Sequence, residues 1–150
     1  MNKTKITFFF LLPAMALLFG GCENAPSENQ VLSKFDRAIF DELKKEALLV
    51  RKKRGPVHPS LFKKHLQDEI DKRNILRIFI DKNSPCVIGF EMSASGIATD
   101  GVLLKIAYDE DPWYPVVSDI AKARKAGDRR IVLYQKIEDD WYLVATSNER

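Results

Sequence analysis

The sequence predicts an α+β domain: two N-terminal helices packed on a mostly antiparallel sheet of four or five strands, with one short additional helix. Three observations carry this. Val31, Phe35, Ile39, Leu43, Ala47 and Val50 recur every three or four positions, the spacing of one helical face. From residue 75 onward the apolar residues instead come in short runs bounded by Asn, Asp, Ser, Gly and Pro, as strands do. Between two such runs, Pro115 opens and Gly127 closes a segment with the N-terminal proline and C-terminal glycine of a helix.

Taken in order, the first helix begins at Ser27, where Gln30 three residues later completes a capping-box pattern, and it ends at Gly55-Pro56. A second helix starts at Ser60, after Pro59, turns Phe62, Leu66 and Ile70 toward the core, and stops near Asn74. Strands follow at 75–80, 86–92 and 102–108, the first two forming a hairpin across "DKNSP". The short helix occupies 115–128. A second hairpin, 129–137 with 141–147, turns at "EDD".

The N-terminus is a different kind of sequence. Lys3 and Lys5 precede an apolar stretch from Ile6 to Phe19, no acid occurs before Glu23, and Gly20-Gly21 lead to Cys22. These are the parts of a secretory signal. The 16 residues from Ile6 to Gly21 make roughly 24 Å of helix, short of the ~30 Å hydrocarbon core. Pro13 also interrupts them, which disfavours a permanent span. Ala14-Met15-Ala16 offers an ordinary cleavage site, but cutting there leaves Leu17-Leu18-Phe19 on the product.

Leu18-Phe19-Gly20-Gly21-Cys22 resembles the lipobox of bacterial lipoproteins, with Phe19 standing where that family usually has leucine. The resemblance implies a diacylglycerol thioether on Cys22, cleavage just before it, and acylation of the new amine, palmitate included. In that family an Asp after the cysteine favours inner-membrane retention. Glu23 stands there instead, so the resemblance points to the outer membrane, on the periplasmic face, with the inner membrane the lesser alternative. Residues 1–21 are then signal peptide, 22–30 a lipidated tether, and 31–150 a single globular domain.

Losing Lys3 and Lys5 lowers the formal charge from +3 to +1, a balance that argues against nucleic acid as a partner. Once Cys22 is lipidated, Cys86 is left as a thiol in the apolar run "CVIGF", where a buried, inert role is expected. If Cys22 stayed free, a Cys22–Cys86 disulfide becomes possible in an oxidising compartment.

Chemistry-bearing motifs are few. His58 and His65 are the only histidines; His58 lies between Pro56 and Pro59, outside the second helix, and Asp68 is the acid nearest His65 in sequence. No third ligand completes a metal site, and a solvated pair is expected. Ser60, Ser93 and Ser95 lack the G-x-S-x-G elbow, and no GxGxxG, P-loop, HExxH or CxxC occurs. No catalytic residue, metal or cofactor is assigned, and the chain is expected not to be an enzyme. The acidic runs 109–111 and 138–140 lie at strand ends, where solvated turns are expected, without calcium-loop spacing. The basic run 51–54 complements a helix C-terminus, with anionic lipid headgroups as a second use.

The most informative stretch is "DEDPWYPVV", residues 109–117. Trp113 and Tyr114 stand between two prolines, which lower the entropy cost of presenting them rigidly. Adjacent residues of an extended chain point opposite ways, so both rings do not bury easily. Trp113 and Tyr114 are therefore expected in a partner-binding surface, with Asp109, Glu110 and Asp111 steering a basic partner. The competing reading has Trp113 capping the core.

Two functions follow. One is a lipid-anchored, non-catalytic module binding another envelope or incoming protein, as immunity, exclusion or envelope accessory lipoproteins do. The other uses a pocket between helix and sheet. Helices followed by a curved sheet ending in "YQKIEDDWYLVA" look like the order in cystatin-like and nuclear-transport-factor-like folds, an analogy of fold alone.

Overall fold

The computed structural model describes residues 27–50, 54–81, 87–94 and 102–147. The segment 1–21 expected to be a signal peptide, Cys22, Cys86 and Ser95 lie outside the described residues, as do 51–53 of the basic run.

The expected first helix is two helices. Ser27 caps α1 (Glu28–Leu32) through the predicted capping box, so helical structure begins within the segment read as tether. The chain then leaves the helix at Ser33, whose hydroxyl donates to the Gln30 carbonyl at 2.8 Å. It re-enters at Asp36, whose Oδ1 accepts from the N–H groups of Ala38 and Ile39 at 3.1 and 3.3 Å, starting α2 (Arg37–Val50). Local side-chain acceptors thus break a run whose apolar spacing is continuous. Phe40, Leu43 and Ala47 form the buried stripe of α2, while Val50 is exposed.

The second helix also starts later than expected. Pro59–Leu61 make a single 3-10 turn capped by His58, and α3 runs from Lys64 to Lys72. Its end is where the sequence places it. Asn74 adopts a left-handed φ of 53°, Asn74 N–H donates to Asp71 O, and Ile75 N–H donates to Ile70 O. This is a Schellman closure with asparagine at the left-handed position.

Among the described residues the sheet has seven strands, not four or five: β1 (Gly55–Val57), β2 (Arg77–Asp81), β3 (Val87–Ala94), β4 (Val102–Tyr108), β5 (Val116–Val117), β6 (Val132–Glu138) and β7 (Trp141–Ser147). Their order is β1-β2-β3-β4-β7-β6-β5, antiparallel except where β5 runs parallel to β6. The two added strands are short edges. β1 takes up Gly55-Pro56 beside β2, proline being tolerable at an edge. β5 consumes the start of the expected 115–128 helix: Tyr134 N–H donates to Pro115 O at 3.2 Å, and only Ile120–Lys125 (α4) is helical, capped by Asp119.

The helices α1, α2, α3 and α4 all contribute to one face of the sheet. Val31, Phe40, Leu66 and Ile120 meet strand residues such as Phe90, Ile106, Trp141 and Leu143 in a single apolar cluster. The opposite face carries no helix among the described residues, only a smaller cluster of Ala107, Tyr134, Tyr142 and Val144. Among the described residues no helix is long and apolar enough to cross a membrane.

Candidate functional site

The period of two along each strand decides which side chains reach the open face. In β4, Leu104 and Ile106 join the helix-side core, so Lys105 and Ala107 point the other way. Cross-strand register then lays out two neighbouring rows on the open face. One reads Arg77, Glu91, Lys105, Val144, Tyr134; the other reads Phe79, Gly89, Ala107, Tyr142, Lys136. At the middle of the second row Gly89 and Ala107 stand opposite each other, so the sheet there is almost bare. The hollow left between larger side chains is a cleft of about 390 Å³.

Its floor and walls come from Phe79, Val87, Lys105, Val132 and Tyr134, and the loop after β4 closes one end with Asp109, Trp113 and Tyr114. That loop is tied down at its root, where Asp109 N–H donates to the Asp140 carbonyl at 2.9 Å. The Tyr114 ring stacks on Tyr134, centroids 6.0 Å apart at 16°. Trp113 remains 82% exposed and Tyr114 50% exposed, so neither is a core residue.

The three carboxylates of the loop have separate fates. Asp109, expected to steer a partner, is only 3% exposed; its Oδ1 accepts from Asp111 N–H at 3.1 Å. Burial, with the charge of Asp109 and a hydrogen bond to it, pushes the Tyr134 hydroxyl well above its ordinary value, so it stays protonated as a donor. Glu110 accepts from Tyr108 Oη at 2.9 Å. Burial and this bond push Tyr108 up to about 12. Glu110 and Asp111 lie on the exposed outer side of the loop.

Lys105 is the site residue that sequence reasoning missed. Its direct cross-strand neighbour is Glu91, yet Glu91 pairs with Arg77 at 3.5 Å. The lysine stem lies instead across the bare backbone of Gly89, where an added Cβ would stand 3.3 Å from Lys105 Cδ. Burial holds its ammonium below the ordinary lysine value, against the pull of Glu91, Asp109 and Asp81. Among the described residues no acceptor lies within hydrogen-bond or ion-pair distance of it. A signal existed: a lone lysine within "VLLKIAY" and a lone glycine within "CVIGF" mark a place where a side chain and a backbone approach closely.

A half-buried ammonium without a direct counter-ion costs stability. Lys105→Met keeps the stem and removes the charge, so its melting temperature should lie above that of the native chain. Roughly 2–8 °C is expected for each kcal/mol relieved at this general size. Calorimetric melting checks this, and a lower value would mean that the ammonium stabilises the sheet.

The other sequence candidates do not converge on the cleft. His58 Nδ1 lies 2.8 Å from Ser60 Oγ and accepts Ser60 N–H at 3.3 Å, a cap for the 3-10 turn. His65 Nε2 meets Glu42 Oε1 at 3.0 Å on an exposed surface, and Asp68 pairs with Lys64 at 2.8 Å. Among the described residues no group of three His, Cys, Asp or Glu could hold a metal ion. In the second acidic run, Arg37 binds Glu138 at 2.9 Å and Asp139 at 2.7 Å, pinning the β6–β7 turn to α2. The space between helices and sheet, where a ligand cone was the alternative expectation, is occupied by packed apolar side chains. The cleft is on the other face.

No protein family, curated protein or solved structure matches the chain in sequence or fold comparisons.

Proposed function

We propose that the chain is a non-catalytic lipoprotein, held through lipidated Cys22 at the periplasmic face of the bacterial outer membrane, that binds another envelope or incoming protein with its aromatic loop. The observation that carries the binding role is Trp113: a large indole left 82% exposed on a loop braced by Pro112, Pro115 and the Tyr114–Tyr134 stack. An exposed tryptophan on a rigid support supplies apolar contact area at little ordering cost, as interface hot spots do. Glu110 and Asp111 beside it favour a partner with a basic patch.

Crosslinking the tethered protein in intact envelopes, followed by recovery of its partners, tests this reading. One protein with a basic surface should be enriched over a control carrying alanine at Trp113 and Tyr114. Equal recovery in the two samples counts against the loop as the contact.

The anchor rests on the apolar run that ends at Cys22 and has its own test. Cys22→Ser should leave an unprocessed or soluble chain that takes up no radiolabelled palmitate. Label on the serine variant, together with its sedimentation in the outer membrane, would sink the lipoprotein reading.

A further inference from the structure

We infer that the cleft on the open face is a binding site for a small aromatic carboxylate, held by Lys105 and stacked against Tyr114 and Tyr134. The inference goes beyond partner binding: it shares Tyr114 with the loop, but its recognition of charge rests on Lys105 in the floor of the cleft, which partner binding does not use.

Size and chemistry both point to such a ligand. A cleft of about 390 Å³ falls in the range of small-molecule sites, which combine apolar walls with a few placed polar groups. The walls are aromatic and aliphatic, from Phe79, Val87, Val132 and the stacked Tyr114–Tyr134 pair, so a flat apolar body is accommodated.

The charges select the sign of the polar end. Each carboxylate around the cleft is already engaged: Asp81 with Arg54 at 3.3 Å, Glu91 with Arg77 at 3.5 Å, and Asp109 with Asp111 N–H and the Tyr134 hydroxyl. Lys105 is the cation facing the cleft with no direct ion partner among the described residues. An entering cation would meet that ammonium, whereas an entering carboxylate gives it the counter-ion it lacks, in a partly dehydrated setting where such a bond is strong. Gly89 makes the arrangement possible. By leaving β3 bare, it lets the lysine stem lie across the strand, away from Glu91.

The probes are 3-phenylpropionate and its uncharged counterpart 3-phenylpropionamide, titrated against the purified full chain by ligand-observed NMR. The acid should bind at least tenfold more tightly than the amide. Lys105→Met should bring the two to the same weak affinity, with thermal melting confirming the fold; Lys105→Gln serves if the methionine variant does not fold. A ten-residue peptide ending in phenylalanine forms the third arm. Acid binding that exceeds peptide binding supports a free small molecule. Equal affinity for acid and amide, acid binding unchanged in a folded Lys105 variant, or binding of the peptide alone each overturns the inference. Loss of partner recovery in the Trp113 and Tyr114 variant bears on the protein-binding proposal and leaves the Lys105 result to stand by itself.

Discussion

Replacing Trp141 with alanine should cost about 3–5 kcal/mol, enough to bring a domain of ordinary stability close to unfolding. Trp141 opens β7 and is fully buried on the helix side of the sheet. Its ring meets Phe35, Phe40, Phe90 and Tyr108 with centroids 5.4–6.0 Å away. Those four rings come from the α1–α2 corner, α2, β3 and β4, so one side chain holds four parts of the chain together. The indole N–H also donates to Asp41 Oδ1 at 3.2 Å, joining β7 to α2. Alanine leaves a void that four rings from rigid elements cannot readily fill. Trp141→Phe should cost less, its penalty being mainly the missing hydrogen bond and a smaller ring. Denaturant titration of both variants checks this. An alanine penalty below about 2 kcal/mol would mean that the neighbouring rings collapse inward.

The two tryptophans show how far the sequence could be read. Trp141 lies in the strand predicted at 141–147, and 102–108 likewise forms a strand with those bounds, because a short apolar run bounded by turn residues is a strong local pattern. Other boundaries depend on contacts that no pattern records. The break between α1 and α2 falls inside an unbroken apolar spacing, since Phe35 packs on Phe40 and Trp141 from the corner as well as it would from a helix. β5 is two residues long and depends on parallel pairing with β6, a partner 18 positions away. Lys105 reads as an outward-facing lysine on a solvated strand face. Only the return of residues 109–115 over that face turns outward into half-buried. The exposure of Trp113 was open in the sequence for the same reason: whether a loop ring lies under or over a neighbour is decided by where the loop folds.

The double change Trp113→Ala and Tyr114→Ala should abolish recovery of the partner while altering stability by no more than about 1 kcal/mol. The two halves of this expectation come from different observations. Little stability is at stake because Trp113 is 82% exposed and Tyr114 half-exposed, and the stack on Tyr134 is the ring packing that the change removes. Binding is at stake because a rigid exposed indole, once covered, is the kind of anchor whose truncation costs about 2 kcal/mol or more. Melting separates the outcomes before any binding is measured. A fall of ~15 °C or more would mean that the pair supports the fold, given roughly 2–8 °C per kcal/mol for domains of this general size. Glu110→Gln with Asp111→Asn should act differently, slowing association with the basic partner and weakening its salt dependence while leaving dissociation nearly unchanged. Asp109 does not belong with them. Buried beneath the loop, it holds the Asp111 backbone and the Tyr134 hydroxyl, so Asp109→Asn should disturb the cleft and the seat of Tyr114 more than the rate of encounter.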